Sequence, residues 1–194
     1  MSITFSKLSP VFVGEVSPID LRQVRDRETL EKIRAGMDEF GVLVFRNQQF
    51  TNDDQLDFAQ RFDGTLHAKT SVAVLGKNRF GNEALTDISN VNEKGEILAA
   101  DDRRRASTVS NRLWHTDASF EDPAGRYSML SARVLPPVRA DTEFADMRAA
   151  HDALELRKLA HHVGEQIGLG QARRQHRLLG QRLATELLPD RLGN

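Results

Sequence analysis

The chain has 194 residues, 39% hydrophobic and 28% charged, with a formal net charge of −1 and no cysteine. That length and balance suit one globular domain, with or without an appendage, and give no electrostatic case for nucleic acid or a membrane surface. Disulfides and thiolate metal sites are excluded, so any metal must be held by His, Asp or Glu.

Met1-Ser2-Ile3-Thr4-Phe5 has neither the basic nor the apolar region of a secretory signal. No apolar run approaches the ~18 residues of a membrane-spanning helix, so a cytoplasmic protein is expected. Ile3 to Val16 carries short apolar runs broken by Pro10 and Gly14, and predicts one or two strands at the rim of a sheet. In Arg27–Phe40, Leu30, Ile33, Met37 and Phe40 form one helical stripe. Gly41 is placed to end that helix in a left-handed turn. Val42-Leu43-Val44-Phe45 then reads as a buried strand. Thr51 or Asn52 is a natural N-cap for a second helix that buries Leu56, Phe58 or Ala59, and Phe62 as core.

Ser71 to Leu75, Leu85 to Val91 and Tyr127 to Leu135 read as strands, the last ended by Pro136-Pro137. Asn92 to Glu96 is a turn in which Gly95 is free to take positive φ. The run Asp101-Asp102-Arg103-Arg104-Arg105 is a solvated loop or a lid that carries arginines to an anionic substrate. Asp141 to Phe144 is a short strand, followed by a helix from Asp146, a potential N-cap, to Leu156. From Ala145 onward there is no aromatic residue. Arg, Gln and Leu dominate there, which permits helix around Leu178 to Leu188 but does not continue the β pattern. A nucleic-acid role for this basic stretch is disfavoured because it offers no Phe, Tyr or Trp for base stacking.

The chemistry concentrates in Asn111-Arg112-Leu113-Trp114-His115-Thr116-Asp117-Ala118-Ser119-Phe120, which holds the only tryptophan. On a strand, residues two apart share a face, so His115 and Asp117 would point the same way. An imidazole beside a carboxylate is two-thirds of the 2-His-1-carboxylate set that holds non-haem Fe(II) with open positions.

With Tyr127-Ser128-Met129-Leu130, Pro136-Pro137 and Asp141 to Met147, this stretch resembles the TauD/TfdA family of Fe(II)- and 2-oxoglutarate-dependent dioxygenases. The branch that acts on 2,4-dichlorophenoxyacetate is the most similar. Val42 to Arg46 and Leu85 to Val91 agree as well, so the likeness covers roughly residues 8 to 156. It implies a mainly β fold with flanking helices (α+β), a double-stranded β-helix or jelly roll, incomplete at the C-terminus. Residues 1–156 would be the family part and 157–194 an Arg/Gln/Leu-rich tail outside it.

The resemblance makes His115 and Asp117 iron ligands. It makes Thr142 the donor to the distal carboxylate of the cosubstrate 2-oxoglutarate. Asn111, Ala118 and, by a looser match, Lys69 become substrate-pocket residues. Lys69 or Arg112 could pair with the carboxylate of a small organic acid, an aryloxyalkanoate above all. Hydroxylation of that acid with O₂ would release succinate and CO₂. No nucleic acid or membrane enters this scheme, and a homo-oligomer is compatible with it.

The sequence departs from the family in three places. Phe62-Asp63-Gly64 carries one residue more than the usual Phe-Gly. Arg139-Ala140 stands where paired glycines precede the threonine segment. The family's third ligand, a distant His, and its Arg for the cosubstrate would fall beyond residue 194. The chain from about Val163 fits a shifted frame or truncation, and a catalytically inactive remnant is the alternative reading. His151, His161, His162 and His176 are the histidines that could replace the missing ligand, while His67, after the apolar Leu66, could enter the pocket in a supporting role.

Overall fold

The computed structural model describes residues 2–67, 80–105, 112–138 and 140–154, and the backbone of 183–185. The chain divides into two compact units, each assembled from separated stretches. The first comprises Met1–Ile19, Glu31–Arg46 and Val134–Asn194; the second comprises Asp20–Leu30 and Asn47–Arg133.

In the first unit, two strands are present as expected: β1 (Thr4–Lys7) and β2 (Gly14–Ser17) pair as an antiparallel hairpin, with Phe5 opposite Val16. The loop between them closes on Val13. Its carbonyl accepts from the N–H of Leu8 and its own N–H donates to the carbonyl of Phe40, both at 3.0 Å. Val13 is buried at a φ of 73°, a costly conformation for a β-branched residue. The short strand β3 (Leu43–Val44) runs parallel to β2, which gives a mixed three-stranded sheet ordered β1-β2-β3.

Between β2 and β3 in sequence lies α1 (Arg27–Phe40), with the bounds its apolar stripe predicts. Leu30, Ile33 and Phe40 are buried along it and Met37 is half-buried. Asp26, just before the helix, accepts from the N–H of Thr29 at 2.8 Å and so caps it. Gly41 has φ +71° and its N–H reaches the carbonyl of Met37 at 2.9 Å, the expected left-handed stop.

Phe12, Val13 and Val44 make a buried cluster against which Val42 and Phe144 pack. Phe144 ends β4 (Thr142–Phe144), the predicted short strand. Residues 147–154 form helix α3, and Asp146 caps it, accepting from Arg148 N–H at 2.9 Å. From the first turn of α3, Arg148 donates to the carbonyls of Asp38 (2.5 Å) and Glu39 (3.3 Å), putting positive charge at the C-terminus of α1.

In the second unit, α2 (Asn52–Gln60) starts at a full capping box. Thr51 Oγ1 accepts from the Asp54 N–H at 3.1 Å, and Asp54 accepts from the Thr51 N–H at 2.9 Å. Phe58 and Phe62 are buried as expected, their rings 5.2 Å apart and edge-to-face, and Tyr127 meets Phe62 at 5.6 Å. After Phe62 the chain takes two consecutive left-handed positions, Asp63 (φ 64°) and Gly64 (φ 83°). Arg61 donates to the carbonyls of Leu21 (2.9 Å) and Val24 (2.6 Å) and to Asp57.

Several strand expectations need correction. Leu85 to Val91 forms no ladder; Val91 and Ile97 make an isolated bridge around the Gly95 turn. Tyr127 to Leu135 is not a paired strand either. Tyr127, Met129 and Ser131 are half-buried while Ser128, Leu130 and Ala132 are exposed, so the alternation is present. The backbone is engaged by side chains instead, with Gln55 Nε2 donating to the Met129 carbonyl at 3.4 Å. Pattern alone supplies an extended chain; a strand also requires a partner edge. Ser71 to Leu75 lies outside the described residues.

The acidic-basic run at 101–105 is neither a free loop nor an extended arm. Asp102 accepts from Arg104 at 2.9 Å, and Arg104 also reaches Glu93 at 3.2 Å. Far along the chain, β5 (Leu183–Thr185) pairs antiparallel with β4, Thr142 opposite Thr185. Where a helix is expected around Leu178 to Leu188, a strand stands instead at Leu183–Thr185, since helix propensity is a weak prior that tertiary pairing overrides, and the rest of that stretch lies outside the described residues.

Candidate metal centre

His115 and Asp117 do come together, but not by lying on a strand. Residues 112–120 are irregular and turn-rich. Directly after Asp117 the chain reverses at Ala118, whose φ is 49°. The Ala118 carbonyl then accepts from the N–H of Gly125 at 3.1 Å and of Glu121 at 3.3 Å, closing a loop over residues 118–125. Thr116 Oγ1 and Ser119 Oγ are hydrogen-bonded at 2.7 Å across the turn.

The result is an oriented pair. His115 Nδ1 lies 2.8 Å from the carbonyl oxygen of Leu113. A carbonyl can only accept, so Nδ1 carries the proton and donates it. In the neutral imidazole, Nε2 is then the nitrogen with a free lone pair. That atom faces Asp117 Oδ1 at 3.4 Å, and both side chains are about half exposed, at 50% and 55%. An imidazole with one nitrogen tied to a backbone carbonyl and the other beside a carboxylate oxygen is the usual arrangement around a metal. The donor set of one nitrogen and one oxygen suits Fe(II) as well as other divalent ions.

Among the described residues, no group of three His, Cys, Asp or Glu side chains is placed to hold a metal together. His67 is exposed, and exposed His151 faces Asp152 at 3.6 Å. His161, His162 and His176 lie outside the described residues, as do Asn111 and Lys69. Ala118 is half-buried in the reversal itself, and Arg112 is exposed. Thr142 belongs to the first unit, exposed on β4 opposite Thr185.

Two contributors were not foreseen from the residues alone, the Leu113 carbonyl and Gly125. A backbone acceptor leaves no mark in sequence. Gly125 does leave one, because Pro123-Ala124-Gly125 is turn punctuation.

Residues 4–168 match the family described as Taurine catabolism dioxygenase TauD, TfdA family. The chain belongs to that family. The match runs twelve residues past the expected boundary at 156.

The chain is 45% identical to the alpha-ketoglutarate-dependent 2,4-dichlorophenoxyacetate dioxygenase of Cupriavidus pinatubonensis, over 79% of its own length and 53% of that enzyme's. It is 31% identical to the (S)-phenoxypropionate/alpha-ketoglutarate-dioxygenase of Sphingobium herbicidovorans, over 76% of its length and 46% of that enzyme's. Among solved structures, AAD-2 in complex with Mn(II) and N-oxalylglycine superposes with a TM-score of 0.66 at 37% identity. That superposition covers 79% of this chain and 50% of AAD-2. The chain thus spans about half the length of the curated relatives it matches.

Proposed function

We propose that this chain carries the Fe(II)-binding His-x-Asp segment of a 2-oxoglutarate-dependent dioxygenase that hydroxylates a small organic acid, an aryloxyalkanoate in the first instance. The observation that carries the reading is the tautomer lock at His115. With Nδ1 held by Leu113, Nε2 and Asp117 Oδ1 are offered to one point. The identities to aryloxyalkanoate dioxygenases support the substrate class.

Bound Fe(II), with 2-oxoglutarate and O₂, supplies oxidative decarboxylation to succinate and CO₂ coupled to hydroxylation of a C–H bond. The chain's own residues hold and orient. His115 and Asp117 would hold the metal and leave positions open for the cosubstrate and O₂. By the family resemblance, Thr142 would donate its hydroxyl to the distal carboxylate of 2-oxoglutarate. Asn111 and Ala118 shape the substrate pocket, and Lys69 pairs with the substrate carboxylate. The fold that completes this arrangement is the jelly roll. Residues 157–194 would be a tail outside the expected family part, although the family match reaches 168. We place the protein in the cytoplasm, acting on a small acid and O₂ without nucleic acid or membrane.

A second reading is a catalytically inactive chain that binds metal weakly. It is favoured because the pair stands without a third His, Cys, Asp or Glu among the described residues.

Anaerobic addition of Fe(II) and 2-oxoglutarate tests the first reading. It expects a weak visible charge-transfer band and, on admitting air with 2,4-dichlorophenoxyacetate, release of succinate and a phenol. Metal binding without either product supports the second reading. No band and no product overturn the first.

A further inference from the structure

We infer that Gly125 is a positioning residue for the His115–Asp117 pair, acting through Ala118. This rests on the reading of the pair as metal ligands. The observation is steric. A β-carbon built on Gly125 would lie 2.8 Å from the Cβ of Ala118, closer than two carbons can approach, and no other atom obstructs it within 3.8 Å. Ala118 Cβ is fixed to the backbone and has no rotamer by which to move away.

Gly125 has no left-handed φ of the kind that would itself demand glycine. Its requirement is therefore for space, and the space is claimed by one methyl group. The same two residues are joined by the Gly125 N–H to Ala118 carbonyl bond at 3.1 Å. Ala118 in turn is the residue whose left-handed φ turns the chain immediately after Asp117. A side chain at 125 must push Ala118 back, and Asp117 is joined directly to Ala118 in the chain. His115 is held from the other direction by Leu113. Displacement at Ala118 therefore opens the 3.4 Å spacing from one side only.

The steric account makes a reciprocal demand. Removing the methyl at 118 should make room for one at 125, so Gly125→Ala should be rescued by Ala118→Gly. Because glycine also suits the left-handed φ of Ala118, the Ala118→Gly single variant sets the baseline: a role in general loop stability predicts that the two substitutions add, and the steric account predicts a rescue larger than that sum.

Binding of Co(II), a stand-in for Fe(II), can be read by quenching of Trp114, the only tryptophan. Gly125→Ala should weaken Co(II) binding roughly 10–100-fold, the effect usual for groups that orient a ligand. The Ala118→Gly/Gly125→Ala double variant should return to within about twofold of the unsubstituted chain. Equal affinity in Gly125→Ala, or a double variant as weak as Gly125→Ala, overturns the inference.

Amide exchange of the metal-free chain gives a second, independent readout. The N–H groups of residues 121 and 125 should lose protection in Gly125→Ala and regain it in the double variant. If the unsubstituted chain shows no quenching that His115→Ala abolishes, the metal reading fails. The steric coupling is then decided by amide exchange alone, and unchanged protection in Gly125→Ala refutes it.

Discussion

His115 Nε2 faces Asp117 Oδ1 at 3.4 Å because the opposite ring nitrogen is committed to the Leu113 carbonyl. A short turn, not a strand, makes that spacing. Both groups are needed at one point, so His115→Ala and Asp117→Ala should each abolish Co(II) quenching of Trp114. His115→Gln should retain a trace at most, since an amide is a poorer metal donor than imidazole. Full quenching in either alanine variant would remove the pair as the metal centre.

Arg61 is the most heavily engaged cation described. Its side chain is 11% exposed and serves the carbonyls of Leu21, Arg22 and Val24 as well as Asp57. This bond to Arg61 holds the Asp57 carboxyl below the usual carboxylate range. Arg61→Ala removes the donor to the Val24 carbonyl and one of two donors to that of Leu21, both partly buried bonds, and should lower unfolding free energy by about 1–3 kcal/mol. Arg61→Lys should recover only part of that, because one ammonium cannot reproduce the guanidinium fork. Chemical denaturation of the three proteins checks the order.

At the start of α2, the Thr51 backbone and then side-chain hydrogen bonds hold the Asp54 carboxyl below its ordinary pKa. A carboxyl whose pKa is depressed by folding stabilises the fold above its unfolded value, about 4. That contribution is lost as pH falls through the lower folded value. The denaturation midpoint should therefore drop on acidification from pH 7 toward pH 3, and Asp54→Asn should show a smaller drop. Thr51→Ala should cost about 1 kcal/mol at neutral pH. An unchanged pH profile in Asp54→Asn would refute the capping assignment.

Gly36 lies inside α1, where alanine normally gains about 1 kcal/mol over glycine. Here an added Cβ would stand 2.4 Å from Phe5 Cε1, and Phe5 stacks on Phe40 with ring centres 5.9 Å apart. Gly36→Ala should therefore destabilise, by about 1–2 kcal/mol. In a Phe5→Leu background the same change should turn neutral or stabilising. Thermal melts of the four proteins measure the coupling, and stabilisation by Gly36→Ala alone would contradict it.

Features set by neighbouring residues were legible in the sequence. The α1 stripe, its stop at Gly41, the Thr51 cap and the Asp146 cap each depend on a few adjacent side chains. The parallel pairing of β2 with β3 was not legible, because nothing in Glu15 or Val44 names its partner across α1. The same limit explains Tyr127 to Leu135, where alternation is real but a ladder is missing among the described residues. For His115 and Asp117 the proximity was legible and the geometry was not. Period-two spacing suggested a shared face, while the shared face comes from Ala118, Gly125 and a backbone carbonyl.

The cluster of Phe12, Val13 and Val44 packs against Phe144, a residue about a hundred positions further along the chain. Synthesis at roughly 5–20 residues per second puts about 5–20 s between the appearance of Val44 and that of Phe144. For that interval on the ribosome the N-terminal hairpin has its apolar face without its last cover.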